Sequence, residues 1–120
     1  MGYELKSKSF ESYLLIEIIG EWPVRNADKI IEEILKLHTK NPLPILFDLR
    51  NDSSIPSIIG DYNDVAAFVN AKFHSLGKIA VLDKKERKEA NENFELFATN
   101  RGLQFRFFYT KKDALKWLID

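Results

Sequence analysis

The sequence predicts a single α/β domain, residues 1–120, built on a mixed five-stranded sheet that is covered by about four helices. Short apolar runs alternate with amphipathic helical patterns along the whole chain, and the first two runs follow each other directly. No internal repeat or linker-like segment interrupts this order. The two adjacent runs suit an antiparallel hairpin, whereas strands separated by helices need right-handed crossovers and therefore pair in parallel.

Five segments have the composition of β-strands. Residues 3–9 place Lys6 and Lys8 on the outer face, which is typical of an edge strand guarded against pairing with other chains. Residues 13–19 are nearly all apolar, so we expect this second strand to be buried on both faces of the sheet. The other three strands are predicted at residues 43–49, 78–83 and 103–109.

Four segments between and after these strands repeat apolar residues at the three- and four-residue spacing of a helix. Asn26 is the expected N-cap of the first helix, and the second pattern extends over residues 58–73. The third helix is expected to close on Gly102, since glycine suits a left-handed C-cap. Thr110 and Asp113 have the spacing of a capping box for the last helix.

Composition and charge exclude several classes of function. Eighteen Lys and Arg residues balance eighteen Asp and Glu residues, so no global attraction to nucleic acid or to an anionic membrane is expected. The basic run at residues 84–88 is broken by Glu86 and indicates a solvated helix start. There is no cysteine, no apolar run of about 20 residues and no signal-peptide core at the start, so we expect a cytoplasmic protein without membrane insertion.

Catalytic and metal sites have little support in the residues. His38 and His74 are the only histidines, and neither has a second ligand at metal-binding spacing, so no metal, cofactor or catalytic residue is predicted. Asp48 and Asp83 end adjacent predicted strands, where two carboxylates can hold Mg²⁺ and a phosphate. Such sites also need a lysine or threonine at a strand end, and the fifth strand ends in aromatic residues. We favour hydrogen bonding of both aspartates to backbone N–H groups, with a Mg²⁺-dependent enzyme as the alternative.

Four segments carry a family resemblance. Residues 13–20 read Tyr-Leu-Leu-Ile-Glu-Ile-Ile-Gly, and residues 44–50 read Pro-Ile-Leu-Phe-Asp-Leu-Arg. Residues 78–83 read Lys-Ile-Ala-Val-Leu-Asp, and residues 107–118 read Phe-Phe-Tyr-Thr-Lys-Lys-Asp-Ala-Leu-Lys-Trp-Leu. In this order and spacing, the whole chain resembles the STAS domain (sulfate transporter and anti-sigma factor antagonist), and in particular its SpoIIAA-like branch.

The STAS resemblance implies a non-catalytic regulatory or scaffolding module that works through protein–protein contact. Sigma-factor regulators of this superfamily are phosphorylated on a serine at the start of the second helix, in a motif such as Asp-Ser-Ser-Gly. Counted from Asp48, the matching position is Ser57. The segment Asp52-Ser53-Ser54 matches the first three residues of that motif, but it falls three residues earlier and continues with isoleucine. These three serines are the phosphorylation candidates; alternatively, serine and aspartate serve only the turn and the helix N-cap.

The expected binding surface combines the loop after the third strand with the exposed side of the second helix. Its residues are Arg50, Asn51, Asp52, Asp61 and Asp64. The partner is a protein that the sequence does not identify. A second copy of the chain is a further candidate, because the second strand or an exposed helix face can support a homodimer.

A carrier of a small apolar ligand is the alternative function. Aromatic residues are concentrated in the second half of the chain, and Tyr62, Phe94, Phe97 and Phe107 would line a pocket between the helices and the sheet. The discriminating feature is volume, because a tightly packed cluster around Phe94 and Phe97 leaves no room for a ligand. Core packing is the interpretation that we favour for these rings.

Overall fold

The computed structural model describes residues 2–23, 27–54 and 58–119, and within this part the side chains of residues 58–62 are not described. The strands are β1 (Tyr3–Ser9), β2 (Leu14–Gly20), β3 (Ile45–Asp48), β4 (Lys78–Leu82) and β5 (Gln104–Phe108). The helices are α1 (Ala27–Lys40), α2 (Ile58–Asn70), α3 (Lys88–Asn100) and α4 (Lys111–Ile119). Two short 3-10 helices, Phe73–Leu76 and Lys85–Arg87, precede β4 and α3.

The five strands form one sheet in the order β1-β2-β3-β4-β5. β1 pairs with β2 in antiparallel register, with Ser7 opposite Ile16, and the remaining neighbours pair in parallel. Each β-α-β unit moves one strand further in the same direction, so right-handed crossovers bring α1, α2 and α3 to one face. The structure confirms the mixed sheet predicted from the sequence.

The face beneath α1, α2 and α3 holds the main hydrophobic core. Successive side chains of a strand point to opposite faces, so alternate strand residues enter this core. From the strands come Leu14, Ile16, Ile18, Ile45, Phe47, Ile79, Val81 and Phe105. From the helices come Ile30, Ile31, Ile34, Val65, Phe68 and Ala98, among others. The apolar stripe predicted for the first helix therefore does face the sheet.

The short helix α4 covers the opposite face of the sheet. It follows β5 without a crossover, packs over β3, β4 and β5, and encloses a second, smaller core. Ala114 and Leu118 of α4 contact the outward side chains of the central strands there, Leu46, Ala80 and Leu82. The two faces of the sheet are thus covered very unequally.

Because the two faces are covered unequally, the predicted burial of β2 differs from the observed burial. Leu14, Ile16 and Ile18 are buried on the face of the main core, but the intervening Leu15, Glu17 and Ile19 are only partly buried. The expectation that this strand is buried on both faces was wrong. The apolar run of β2 carries no information about the position of α4. The nine residues of α4 pack over β3, β4 and β5 and not over β2.

The second helix is shorter than predicted. It ends at Asn70, and Lys72 has a left-handed backbone with φ of 64°. This reversal carries Phe73 into the main core, where it is fully buried and its ring centroid lies 4.8 Å from that of Phe68. Phe73 fits the helical spacing, but it contacts the core from a 3-10 helix. The predicted N-cap Asn26 lies outside the described residues.

Two predicted helix caps are present. Gly102 has φ of 83°, and its N–H donates to the Thr99 carbonyl at 3.1 Å. The N–H of Leu103 donates to the Ala98 carbonyl at 2.9 Å, which completes a Schellman motif at the end of α3. At the start of α4, the N–H of Asp113 donates to Thr110 Oγ1 at 3.2 Å.

Gly20 ends β2 at a point of close backbone approach. Its φ is 97°, and a Cβ at this position would lie 2.6 Å from the carbonyl oxygen of Gly2. That oxygen accepts a hydrogen bond of 2.9 Å from the N–H of Glu21, so the clashing backbone is itself held in place. Glycine is required here by both the backbone conformation and the space.

We expect Gly20→Ala to lower the free energy of unfolding by about 2 kcal/mol, because it adds a steric clash to the strain of a left-handed residue. Gly102→Ala is the matched control: its φ is 83° and the space for a Cβ is open, so only about 1 kcal/mol is expected. Urea unfolding of both variants measures the difference. Equal losses would contradict the close approach at Gly20.

Candidate functional site

A polar cluster lies at the carboxyl ends of the parallel strands. Asp48 is the last residue of β3, Asp83 follows β4 and Tyr109 follows β5, so all three lie along one edge of the sheet. Residues 49–54, here called the β3–α2 loop, leave β3 at this edge. The cluster and the loop together form the candidate functional site.

Backbone hydrogen bonds fix the β3–α2 loop to the ends of β2 and β4. The N–H of Leu49 donates to the Leu82 carbonyl at 2.8 Å. The N–H of Gly20 donates to the Asn51 carbonyl at 3.1 Å, and the N–H of Ser53 donates to the Gly20 carbonyl at 2.7 Å. The loop therefore has a defined shape although much of it faces solvent.

Asp52 holds the loop from the inside. It is only 4% exposed, and its Oδ1 accepts hydrogen bonds from the N–H of Ser54 at 2.9 Å and from Ser54 Oγ at 2.6 Å. This is the side-chain-to-backbone turn that aspartate commonly makes. Among the predicted binding-surface residues on the loop, Asp52 is therefore the buried one, and its side chain holds the loop's own turn.

Asp48 makes a bidentate contact with Arg50. Arg50 Nε donates to Asp48 Oδ1 at 2.9 Å, and Arg50 Nη2 donates to Oδ2 at 2.8 Å. The backbone N–H of Arg50 adds a third bond of 3.1 Å to Oδ1. Burial alone would raise the pKa of Asp48, but these hydrogen bonds and the charges of Arg50 and Lys111 together hold that pKa below its ordinary value.

Arg87 connects the loop to the end of β4. Its Nη2 donates to the backbone carbonyl of Asp52, and its Nη1 lies 3.8 Å from Asp52 Oδ2. Its Nε lies 3.9 Å from Asp83 Oδ1. The Arg87 side chain is only 13% exposed, so one cation sits between two buried carboxylates. Arg87 shields the two carboxylates from each other. Through the same contacts it connects the β3–α2 loop to the end of β4, just before α3 begins.

Asp83 is the most enclosed carboxylate of the cluster, at 2% exposure. The N–H of Lys84 donates to its Oδ1 at 2.8 Å, and Asn91 Nδ2 donates to its Oδ2 at 3.1 Å. Burial raises the pKa of Asp83, with help from the negative charge of Asp52, and these hydrogen bonds and Arg87 only partly oppose the rise. Burial also raises the pKa of Tyr109 next to Asn91.

Arg87 and Asn91 are the site residues that the sequence interpretation missed. Arg87 belongs to the charged run at 84–88, which otherwise faces solvent as predicted, with Lys85, Glu86 and Lys88 exposed. The available signal was spacing: Arg87 and Asn91 lie four residues apart, which places them on one side of the predicted helix that follows Asp83. The run of like residues around Arg87 obscured this pattern.

The other predicted binding-surface residues differ in exposure. Arg50, Asn51 and Ser53 are exposed on the β3–α2 loop. Asp64 of α2 is partly buried, and its Oδ1 accepts a hydrogen bond of 3.1 Å from Trp22 Nε1. Some predicted site residues cannot be placed, since Ser57 and the side chains of Asp61 and Tyr62 lie outside the described part of the chain.

The aromatic residues proposed for a ligand pocket pack against one another. The ring of Phe94 stacks on Phe105 at 5.8 Å between centroids and meets the edge of Phe107 at 5.6 Å. Phe68 lies 5.0 Å from Phe105, and Phe97 is packed against the same core. This contact between rings is the arrangement that favours core packing over a ligand cavity.

The described residues contain neither a metal-binding group of side chains nor a helix that could span a membrane. Among residues 2–23, 27–54 and 58–119, no group of three or more His, Asp or Glu side chains is placed to hold a metal ion. In the same ranges, every buried polar side-chain atom has a hydrogen-bond partner. No helix in this part of the chain has the length and apolar character needed to cross a membrane.

We predict that Arg87→Ala lowers the free energy of unfolding by about 2 kcal/mol, because two buried carboxylates lose their shared cation. Lys88→Ala removes a neighbouring but exposed charge and should change stability by no more than about 0.5 kcal/mol. Chemical denaturation gives both values. An Arg87 variant as stable as the Lys88 variant would show that the cation does not hold the cluster together.

We expect Asp48 and Asp83 to make the free energy of unfolding depend on pH in opposite directions. The lowered pKa of Asp48 contributes stability above its ordinary pKa of about 4, and this contribution is lost as the pH falls. The raised pKa of Asp83 has the reverse effect, because the folded state loses stability as the pH rises through that pKa. Unfolding free energies of wild type, Asp48→Asn and Asp83→Asn, followed from about pH 3 to 8, should therefore give difference curves of opposite slope. Parallel difference curves would contradict this assignment.

Comparison with known proteins supports the fold. The chain matches no protein-family model and no curated protein sequence. Among solved structures, it is similar to an uncharacterised protein of the DUF3478 family with a SpoIIAA-like fold from Shewanella loihica PV-4. The TM-score is 0.64 at 17% identity, and the match covers 98% of this chain and 94% of that chain.

A second solved structure has the same architecture. It is an anti-sigma factor antagonist from Mycobacterium paratuberculosis, with a TM-score of 0.66 at 17% identity. The match covers 99% of this chain and 96% of that chain. With its hairpin, its three crossover helices on one face and its final helix on the other, this chain therefore has the SpoIIAA-like fold that its resemblance to the STAS domain predicted.

Proposed function

We propose that this chain is a non-catalytic regulatory module that binds a protein partner through the β3–α2 loop. The observation that carries the proposal is the combination of exposure and fixed shape in this loop. Arg50, Asn51 and Ser53 are exposed on the loop, and backbone bonds to Gly20 and Leu82 hold the chain beneath them. The exposed side chains of Arg50 and Asn51 are themselves bonded to Asp48 and Glu17. A surface that is already ordered loses little conformational entropy on binding.

The strand-end carboxylates support a non-catalytic role. Arg50 occupies both oxygens of Asp48, and Lys84 and Asn91 occupy those of Asp83. A general base or a Mg²⁺ ligand needs a carboxylate oxygen that is directed at substrate or metal. The fold shared with an anti-sigma factor antagonist, a regulator by its description, agrees with this interpretation.

We expect the partner-binding role to depend on exposed loop residues. Asn51→Arg adds bulk and charge at the centre of the loop, and we expect it to raise the dissociation constant for the partner at least about tenfold. The matched control is Asn70→Arg, an exposed asparagine at the far end of α2, which should change the constant by less than about twofold.

The test begins with tagged protein purified from the organism that encodes it. The retained partner is identified by mass spectrometry, and the purified pair is then titrated by calorimetry with wild type and both variants. Loss of affinity with Asn51→Arg alone supports the loop as the interface. Equal binding by all three proteins would contradict it, as would turnover of a substrate that Asp48→Asn abolishes.

Serine phosphorylation is a proposed means of control, and Ser54 is the described serine best placed for it. Its hydroxyl donates to the buried Oδ1 of Asp52 at 2.6 Å. A phosphoryl group there would remove this donor and bring a charge of about −2 next to a carboxylate that is already buried. The turn that Asp52 holds would be disrupted, whereas a phosphoryl group on the exposed Ser53 would change only the surface charge.

Charge substitution separates the two serines. We predict that Ser54→Glu lowers the free energy of unfolding by about 1–2 kcal/mol, through the lost hydrogen bond and like-charge repulsion beside Asp52. Ser53→Glu, one residue away but exposed, should change it by less than about 0.5 kcal/mol. Urea denaturation provides both numbers. Two equally mild effects would remove Ser54 as a switch that acts through the loop structure.

A further inference from the structure

The face of the sheet that carries α4 is covered over only part of its width. Neighbouring strands lie about 4.8 Å apart and packed helices about 8–10 Å apart, so one helix covers about two strands. α4 packs over β4, with β3 and β5 at its sides. The remaining part of this face, here called the open half, is formed by Glu4, Lys6, Lys8, Leu15, Glu17 and Ile19. Its β1 residues are exposed and its β2 residues are only partly buried, so the described part of the chain leaves room there for one more helix.

α4 borders the open half with apolar side chains. Trp117 lies on the flank of α4 that faces β5, with its ring centroid 5.7 Å from that of Phe108. Leu115 is about 200° away around the helix, so it lies on the flank that faces β2, and it packs in the same small core as Leu15. Ile119 follows one turn later on that flank and is 43% exposed. The open half therefore has an apolar border along α4.

Two lysines converge at one end of the open half. Lys8 Nζ of β1 lies 5.1 Å from the ring centroid of Phe10, and Lys111 Nζ of α4 lies 5.8 Å from the same centroid. The Phe10 ring also stacks on Tyr13, at 4.7 Å between centroids. Among the residues that the structure describes, neither lysine forms an ion pair, not even with Glu11 in the adjoining turn. Two positive charges from opposite ends of the chain are thus brought together without a balancing carboxylate.

The other charges on and around the open half largely offset one another. Arg50 engages both oxygens of Asp48 at the edge of the sheet. Lys6 lies directly opposite Glu17 in the β1–β2 register. Glu4 belongs to the opposite end of β1 from Lys8. The excess positive charge is therefore located at the Phe10 end, next to the apolar border of α4.

We propose that an amphipathic helix of a partner protein, with carboxylates beside its apolar stripe, binds over β1 and β2 alongside α4. Its apolar residues would be buried against Leu15, Ile19 and Leu115, and its carboxylates would meet Lys8 and Lys111. The seven residues of β2 span about 24 Å, which is the length of about sixteen helical residues. This inference does not depend on the partner-binding role of the β3–α2 loop, which leaves β3 at the sheet edge.

Two synthetic helical peptides of about sixteen residues test the proposal. Both carry leucine along one face, but the flanking positions hold glutamate in the acidic peptide and lysine in the basic peptide. Each is titrated into the ¹⁵N-labelled full chain and followed by NMR. We expect the acidic peptide to bind with a dissociation constant below about 1 mM and to shift amides of β1, β2 and α4. The basic peptide should bind at least about tenfold more weakly.

Charge reversal tests the role of the two converging lysines. The double variant Lys8→Glu, Lys111→Glu should weaken binding of the acidic peptide at least about tenfold and strengthen binding of the basic peptide. The matched control is Lys29→Glu, Lys40→Glu, which makes the same change of net charge at exposed residues of α1 on the other face. It should leave both dissociation constants within about twofold. All four lysines are exposed, and circular dichroism verifies that both variants are folded.

Three results would overturn the proposal. The first is an acidic peptide that does not bind at concentrations up to about 1 mM. The second is a set of amide shifts confined to the β3–α2 loop or to α1, α2 and α3, which would place the binding site elsewhere. The third is a folded Lys8 and Lys111 double variant that binds the acidic peptide as tightly as the α1 control does.

Discussion

The rest of this structure depends on the constraint that strands joined by helices cross over with one hand. Because each crossover advances one strand in the same direction, the three crossover helices lie on one face of the sheet. The carboxyl ends of the parallel strands consequently share one edge, where Asp48, Asp83 and the β3–α2 loop meet. The same progression leaves β1 and β5 as the outer strands of the sheet.

Buried charge gives the β3–α2 loop its form. Asp52 and Asp83 are almost fully enclosed, and an enclosed carboxylate is unfavourable unless it is hydrogen-bonded and paired. Arg87 lies between them, and Asp52 in turn holds Ser54. The proposed phosphorylation of Ser54 would place a new charge directly beside this small network.

Local patterns in the sequence predicted most of the fold, and long-range packing accounts for the differences. Strand and helix order, Gly102 as a C-cap and Thr110 as an N-cap follow from spacing and residue type. The partial exposure of the second face of β2 depends on where α4 lies, which no local pattern encodes. Burial of Arg87 likewise requires the β3–α2 loop to arrive from more than thirty residues away, at Asp52. The strand-end positions of Asp48 and Asp83 could thus be predicted from the sequence, but the buried position of Arg87 could not.

The most direct test of the central claim is site-specific photo-cross-linking of the chain to its protein partner. A photoreactive residue is introduced at Asn51 on the β3–α2 loop, or at Lys36, which is 75% exposed on α1. This account predicts a covalent adduct with the partner from position 51 and none from position 36. An adduct from position 36 together with none from position 51 would contradict the claim that the β3–α2 loop is the binding surface.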